Sequence, residues 1–193
     1  MLDTLMNLVR EQSGNAIVNN PAIPNEQNNV AMDSVMSGIL GGLKQQASDG
    51  NIGGLLSTVM GQQSTSAQNP VVGGVMNNVT GQLAERLGIS PQVASSIAAA
   101  VVPMVLSRLF SKATDPNDPS VDVGNIMATA TGNQQAAGMD WAGMAQSAMA
   151  DGKLDMSDLM RVAGGFMGSG NTNTGQQSGG GLGGMLGGLF GGK

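Results

Sequence analysis

Residues 82–106 read QLAERLGISPQVASSIAAAVVPMVL and decide the fold class. Apolar residues recur at helical spacing on both sides of the segment 88–91. Gly88 ends the first run, because glycine adopts the left-handed backbone of a helix C-terminus without steric cost. Ser90 and Pro91 begin the second run, because a serine N-cap and a proline at the first helical position both favour helix initiation. The stretch predicts two consecutive helices joined by a tight corner.

Helical signals extend in both directions from this corner. Asn69 before Pro70 repeats the cap-plus-proline pattern and begins another helix. Gly50, after Asp49, ends an earlier helix that contains residues 32–43. Pro103 lies inside the second run, and we expect it to kink or break that helix. Residues 15–29 are predicted to be a loop, and further helices are expected near 121–131, 140–150 and 155–167. The helix that follows the loop should bury one stripe, formed by Met32, Val35, Met36, Ile39, Leu40 and Leu43.

Nothing in the chain alternates at the period of a strand. We therefore predict an all-α fold, a bundle of about seven or eight short amphipathic helices with polar linkers and a Gly-rich C-terminal tail.

The stretch 82–106 resembles the YidB-like family, a family of uncharacterised, all-helical bacterial proteins. Residues 49–56, DGNIGGLL, are similar to the helix that precedes this stretch in the family. The resemblance covers about residues 35–113 and implies a compact α-helical bundle. It implies no established activity, and no functional residue is carried over, because the shared positions are packing positions.

Changes in composition divide the chain into five segments. They are an N-terminal helix with an Asn/Pro linker (1–29), the YidB-like helical core (30–113), an Asp/Pro linker (114–120), C-terminal helices (121–168) and a Gly-rich apolar tail (169–193).

The missing residue types exclude whole classes of chemistry. The chain has no Cys, His or Tyr, and its net charge at pH 7 is −5. Without Cys or His there is no thiolate nucleophile, no histidine base and no transition-metal site of the usual kind. The acidic balance argues against a broad nucleic-acid surface. We therefore expect no enzyme, no cofactor, no metal and no nucleic-acid partner.

Two acidic segments have a metal-binding alternative. Residues 151–158, DGKLDMSD, imitate the second half of a calcium loop. Aligning Gly152 with the loop glycine places Met149 where an oxygen ligand is needed, so a capped helical corner is the better interpretation. Asp115, Asp118 and Asp122 could surround a cation, but Asp-Pro turns explain them through bonds to their own backbone.

The chain also lacks the residues that membrane insertion and DNA binding require. The apolar run 97–106 is about half of the 20 residues that span a bilayer. The helix after Ser90 offers no Lys or Arg before Arg108, so it could not hold phosphate. The N-terminus lacks the basic and apolar regions of a signal peptide. We expect no transmembrane segment, no membrane contact and a cytoplasmic location, with non-classical export left open.

We predict a non-enzymatic structural protein that self-assembles through helix–helix packing into a homo-oligomer or filament. The alternative is a monomeric bacterial binding or adaptor module with a flexible tail. Small residues let helix backbones approach closely, and the methionines could form an adaptable docking surface or fill the core. Apolar residues separated by glycine pairs predict an intersubunit contact in the tail, through Leu182, Met185, Leu186, Leu189 and Phe190. The positions expected to shape the helical core are Gly88, Ser90, Pro91 and Pro103.

Overall fold

A computed structural model describes residues 2–141 and residue 143 of the chain, all within the compact unit Met1–Leu159. Helix accounts for 74% of this part, and it contains no strand. The all-α prediction is therefore confirmed for the described residues. The helices predicted near 140–150 and 155–167 and the tail 169–193 lie outside them, apart from the first residues of the 140–150 helix.

Six α-helices form the described part of the chain. They are α1 (Leu2–Gln12), α2 (Asn28–Ser48), α3 (Ile52–Val59), α4 (Pro70–Leu87), α5 (Pro91–Ala113) and α6 (Val123–Thr131). A π-helical turn at Gly14–Val18 and two 3-10 turns, at Asn25–Gln27 and Gln134–Gly138, complete it. Helix α2 is central: it packs mainly against α4 and also against α1, α3 and α6, while α5 packs against α4 and α1.

Capping side chains set the helix boundaries where the sequence places them. The side-chain oxygen of Asn69 accepts from Val71 N at 2.8 Å and begins α4. The hydroxyl of Ser90 accepts from Val93 N at 3.4 Å and begins α5. Gly88 ends α4 with a φ of 66°, the left-handed backbone that glycine adopts most readily. Gly50, with a φ of 80°, follows the end of α2 in the same way.

Two small residues of α2 lie directly against α4. Gly38 and Gly42 are buried against α4, whereas Met36 and Leu40 are only half-buried. The predicted stripe is confirmed at Met32, Val35, Ile39 and Leu43, which are buried, while Met36 and Leu40 are partly buried and pack against the core. Because glycine has no side chain, the two backbones come close together along this face.

The structure bears on two further predictions about the backbone. Helix α5 runs through Pro103 without a break, and the kink that was the other expectation for this proline stays a prediction. The segment 15–29 is not a plain loop, because it contains most of the π-helical turn and one 3-10 turn. Ile17 and Ile23 from this segment are buried in the core, which explains why it folds back onto the helices.

The described residues close their own hydrophobic core. All six helices contribute fully buried side chains, and the segment after α6 adds Trp141, whose indole N–H donates to the Ala136 carbonyl at 2.6 Å. Burial of this kind stabilises the fold.

Candidate functional site

The outer face of α5 carries no charge along most of its length. Between Gln92 and Ser107 its exposed residues are small, apart from one methionine: Ser95, Ser96, Ala99, Ala100 and Met104. Ser107 is also exposed, and Arg108 after it is the first charged residue of the helix. The opposite face of the helix supplies core residues, including Ile97, Val101, Val105 and Leu109.

A shallow groove runs beside this face, where α5 meets the end of α1 and the π-helical turn. It encloses about 460 Å³ and is lined by Glu11, Gln12, Gly14, Asn15, Ala16, Ala100 and Met104. We call it the α5 groove. Met104 is 43% exposed and is one of four exposed large apolar residues in the described part of the chain, with Leu2, Val18 and Val30. Glu11 is the one charged residue among those that line the groove.

A buried hydroxyl lies between two lining residues. Ser13 stands between Gln12 and Gly14, is 0% exposed, and its Oγ makes no hydrogen bond within the described residues. Leaving a buried hydroxyl without a partner costs about 1–3 kcal/mol. The Oγ atom of Ser13 is therefore a buried polar atom without a hydrogen-bond partner, next in sequence to two residues that line the groove.

The backbone of α5 has an open position beside the groove. Pro103 has no N–H, so the carbonyl of Ala99 lacks the donor that residue 103 of a regular helix would supply. Ala99 is exposed, and Pro103 is half-buried. The carbonyl of Ala99, one turn before Pro103, therefore lacks its regular helical donor close to Met104.

The three aspartates of the acidic cluster are each used by local turns. Asp115 Oδ1 accepts from Asn117 N at 2.9 Å, and Asp122 Oδ1 accepts from Asn125 N at 2.8 Å. Asp118 Oδ1 accepts from Ser120 N at 3.0 Å. Within the described ranges no three acidic side chains come together as metal ligands would. The turn interpretation of these residues is the one that the geometry supports.

One ion pair, between Lys112 and Asp118, joins the end of α5 to the Asp/Pro linker. Lys112 Nζ lies 2.6 Å from Asp118 Oδ2. This hydrogen bond, with a second from Ser120, holds the pKa of Asp118 well below its usual range. The pair ties the linker to α5, and neither residue lines the α5 groove.

The residues singled out from the sequence fall into three groups. Gly88, Ser90 and Pro91 form the corner between α4 and α5, and Pro103 lies mid-helix beside the groove. Of the methionines expected on apolar faces, Met32 is in the core and three others pack at its edge: Met36, Met60 and Met76. The remaining candidates lie outside the described residues: Met144, Met149, Asp151, Gly152, Met160, Leu182, Met185, Leu186, Leu189 and Phe190.

Sequence reasoning missed Met104 as a surface residue. The apolar positions of α5 recur as Val93, Ile97, Val101, Val105 and Leu109, and position 104 falls outside this stripe. Its place off the stripe, on a helix otherwise faced with Ser and Ala, is the signal that could have identified it.

Helix α5 is also the one helix of the described part that is long and apolar enough to cross a bilayer. Half of its most apolar stretch is buried within the fold. A core helix passes the same test of length and composition, so this is weak evidence for a span, and the fold is consistent with no transmembrane segment.

Comparison of the chain with protein families, with curated proteins and with solved structures finds no match.

Proposed function

We propose that this chain is a non-enzymatic structural protein that self-assembles through helix–helix packing into a homo-oligomer or filament. The observation that carries the proposal is the α5 groove, where Met104 is 43% exposed on an outer face free of charge from Gln92 to Ser107. Water-exposed apolar surface of this kind gains free energy when a partner covers it.

The packing of α2 on α4 supports the same mode of contact. Within one chain, Gly38 and Gly42 let two helix backbones touch. The outer face of α5 is built from similarly small residues, so another backbone segment could approach it closely.

The composition supports a role without catalysis. A chain with no Cys and no His lacks the side chains that most often serve as nucleophile or as general base near neutral pH. The resemblance of residues 35–113 to the YidB-like family implies no catalytic activity either. We also propose that the protein acts in the cytoplasm.

A second candidate function is a monomeric binding or adaptor module. The closed core favours it, because the described residues need no second copy to bury their apolar side chains. In that case the α5 groove would receive an apolar segment of a different protein.

Light scattering on the full chain separates the two candidates. We expect particles larger than one 19.4 kDa chain, and we expect Met104→Lys to shift them towards the monomer by placing a charge in the groove. Gln62→Lys, on the exposed loop after α3, is the matched control and should leave the particles unchanged. A monomeric full chain that keeps its fold would favour the adaptor module.

A further inference from the structure

We propose that the α5 groove of one copy receives the tail segment 179–193 of a second copy. This inference rests on the proposed self-assembly and names the surfaces that carry it. The segment reads GGGLGGMLGGLFGGK, with apolar side chains separated by pairs of glycine.

The apolar groups of the two surfaces match. The groove presents Met104, Ala100 and Ala16, and its volume of about 460 Å³ suits two or three aliphatic side chains rather than a whole helix. The tail supplies such side chains on a backbone that glycine leaves nearly bare, so it can lie close to the small residues of α5. Methionine adapts to irregular partners because its side chain is unbranched.

The polar groups are complementary as well. Glycine pairs expose backbone N–H groups, and the α5 face offers the Ala99 carbonyl, which lost its helical donor to Pro103. A backbone N–H of the tail would donate a hydrogen bond to the Ala99 carbonyl. A helix that presented only side chains could not do so.

The charges do not oppose the contact. From residue 162 to residue 192 the chain carries no charge, and Lys193 follows. The single charge lining the groove is Glu11, of opposite sign to Lys193. We therefore expect the contact to depend mainly on apolar burial and only weakly on salt.

The contact has a consequence for the form of the assembly. Groove and tail are different surfaces of the same chain, so one contact leaves a free groove on one copy and a free tail on the other. Such heterologous contacts continue until they close a ring or extend as a filament. A symmetric dimer would not result.

The absence of cysteine makes a direct test possible. Met104→Cys in one full-length preparation and Leu186→Cys in another each introduce a single thiol into a Cys-free chain. The two are mixed, allowed to assemble and oxidised mildly. Trypsin then releases residues 87–108 and 162–193, and mass spectrometry measures the disulfide-joined pair. Leu182→Cys and Phe190→Cys repeat the test at other positions of the tail, in case one thiol faces away from the groove.

Docking raises the local concentration of the two thiols, so we expect at least roughly tenfold more joined peptide than with the control Gln62→Cys, which lies on an exposed loop. If all three tail positions fail to join while light scattering shows assembly, the groove assignment is overturned and the proposed function stands. A double variant carries both Met104→Cys and Leu186→Cys in one chain. If its two thiols join within that chain while the mixture of single variants gives no joined peptide, the second copy is the wrong occupant of the groove. A monomeric full chain would overturn both proposals.

Discussion

A β-carbon added to Gly42 would lie 2.6 Å from the Cα of Val75, closer than carbon atoms of separate residues approach. The backbones of α2 and α4 are therefore in direct contact at this point. One turn earlier in α2, Gly38 stands in the same relation to Val79, also at 2.6 Å. The close approach of α2 and α4 depends on two glycines spaced four residues apart.

Gly42→Ala should destabilise the protein, because the Val75 backbone cannot move aside as the end of a flexible side chain could. Overpacking of this kind costs about 1–3 kcal/mol. Urea unfolding followed by circular dichroism measures the change. Gly81→Ala is the matched control: it is also a helical glycine, but nothing lies within 4 Å of its added carbon. There the gain in helix propensity should stabilise the protein by about 0.5–1 kcal/mol. Equal effects at the two sites would contradict the backbone contact.

The helix positions could be predicted from the sequence, whereas the helix partners could not. Asn69, Ser90 and Gly88 act through their nearest neighbours in the chain, so their local pattern is sufficient. The role of Gly38 and Gly42 depends on α4, which lies about 35 residues away in sequence. Periodicity identifies the apolar side of α2, but it cannot show that Gly38 and Gly42 lie directly against α4.

The side chain of Asn69 connects the loop after α3 to the start of α4 through hydrogen bonds. Asn69→Ala should remove these bonds and lower the free energy of unfolding. The side chain is 6% exposed. Its amide donates to Thr58 Oγ1 at 3.1 Å and to the Ser64 carbonyl at 2.9 Å, while its oxygen caps α4. We expect a loss near the upper end of the range for N-caps, about 2 kcal/mol, in the free energy of unfolding.

Ser90→Ala is the comparison for Asn69→Ala. Its cap hydrogen bond is longer, 3.4 Å, and exposed. We expect a loss of about 0.5 kcal/mol there. A loss at Ser90 as large as that at Asn69 would show that the loop contacts of Asn69 contribute nothing beyond capping.

Pro103→Ala should separate stability from assembly. Alanine restores the N–H that a regular helix would donate to the Ala99 carbonyl, and removing an interior proline can relieve about 3 kcal/mol of helix strain. The half-buried ring is lost at the same time. We expect stability equal to or above that of the parent and smaller particles by light scattering. Unchanged stability together with unchanged particle size would show that Pro103 has no role in either.

The Lys112–Asp118 pair predicts a dependence of stability on pH. The pKa of Asp118 is held low in the folded state by Lys112 and Ser120. The pair therefore stabilises the fold at pH values above the ordinary Asp pKa of about 3.9, and this contribution is lost as the pH falls below that value. The free-energy difference between the parent and Asp118→Asn should be constant near neutral pH and shrink below about pH 4.

Lys112→Gln provides the control for this pH dependence. In the Lys112→Gln background, Asp118→Asn should produce a flatter pH profile, because the main partner of the carboxylate is already gone. A profile as steep as in the parent would assign the effect to the backbone N–H of Ser120 instead.

The candidate site could be predicted only in part from the sequence. Helix α5, its proline and the spacing of the apolar tail are visible in the residues themselves. The α5 groove is not, because Ala16 and Met104 come to line the same groove only when the π-helical turn packs against α5. The sequence predicts an interaction through the tail, and the fold adds a surface that could receive it.

Sedimentation velocity on the full chain, over a range of concentrations and at low and high salt, tests self-assembly most directly. We expect species heavier than one 19.4 kDa chain at micromolar concentration, growing with concentration and persisting in high salt, since few charges are available to bridge copies. A single folded species of 19.4 kDa at every concentration and salt would contradict it.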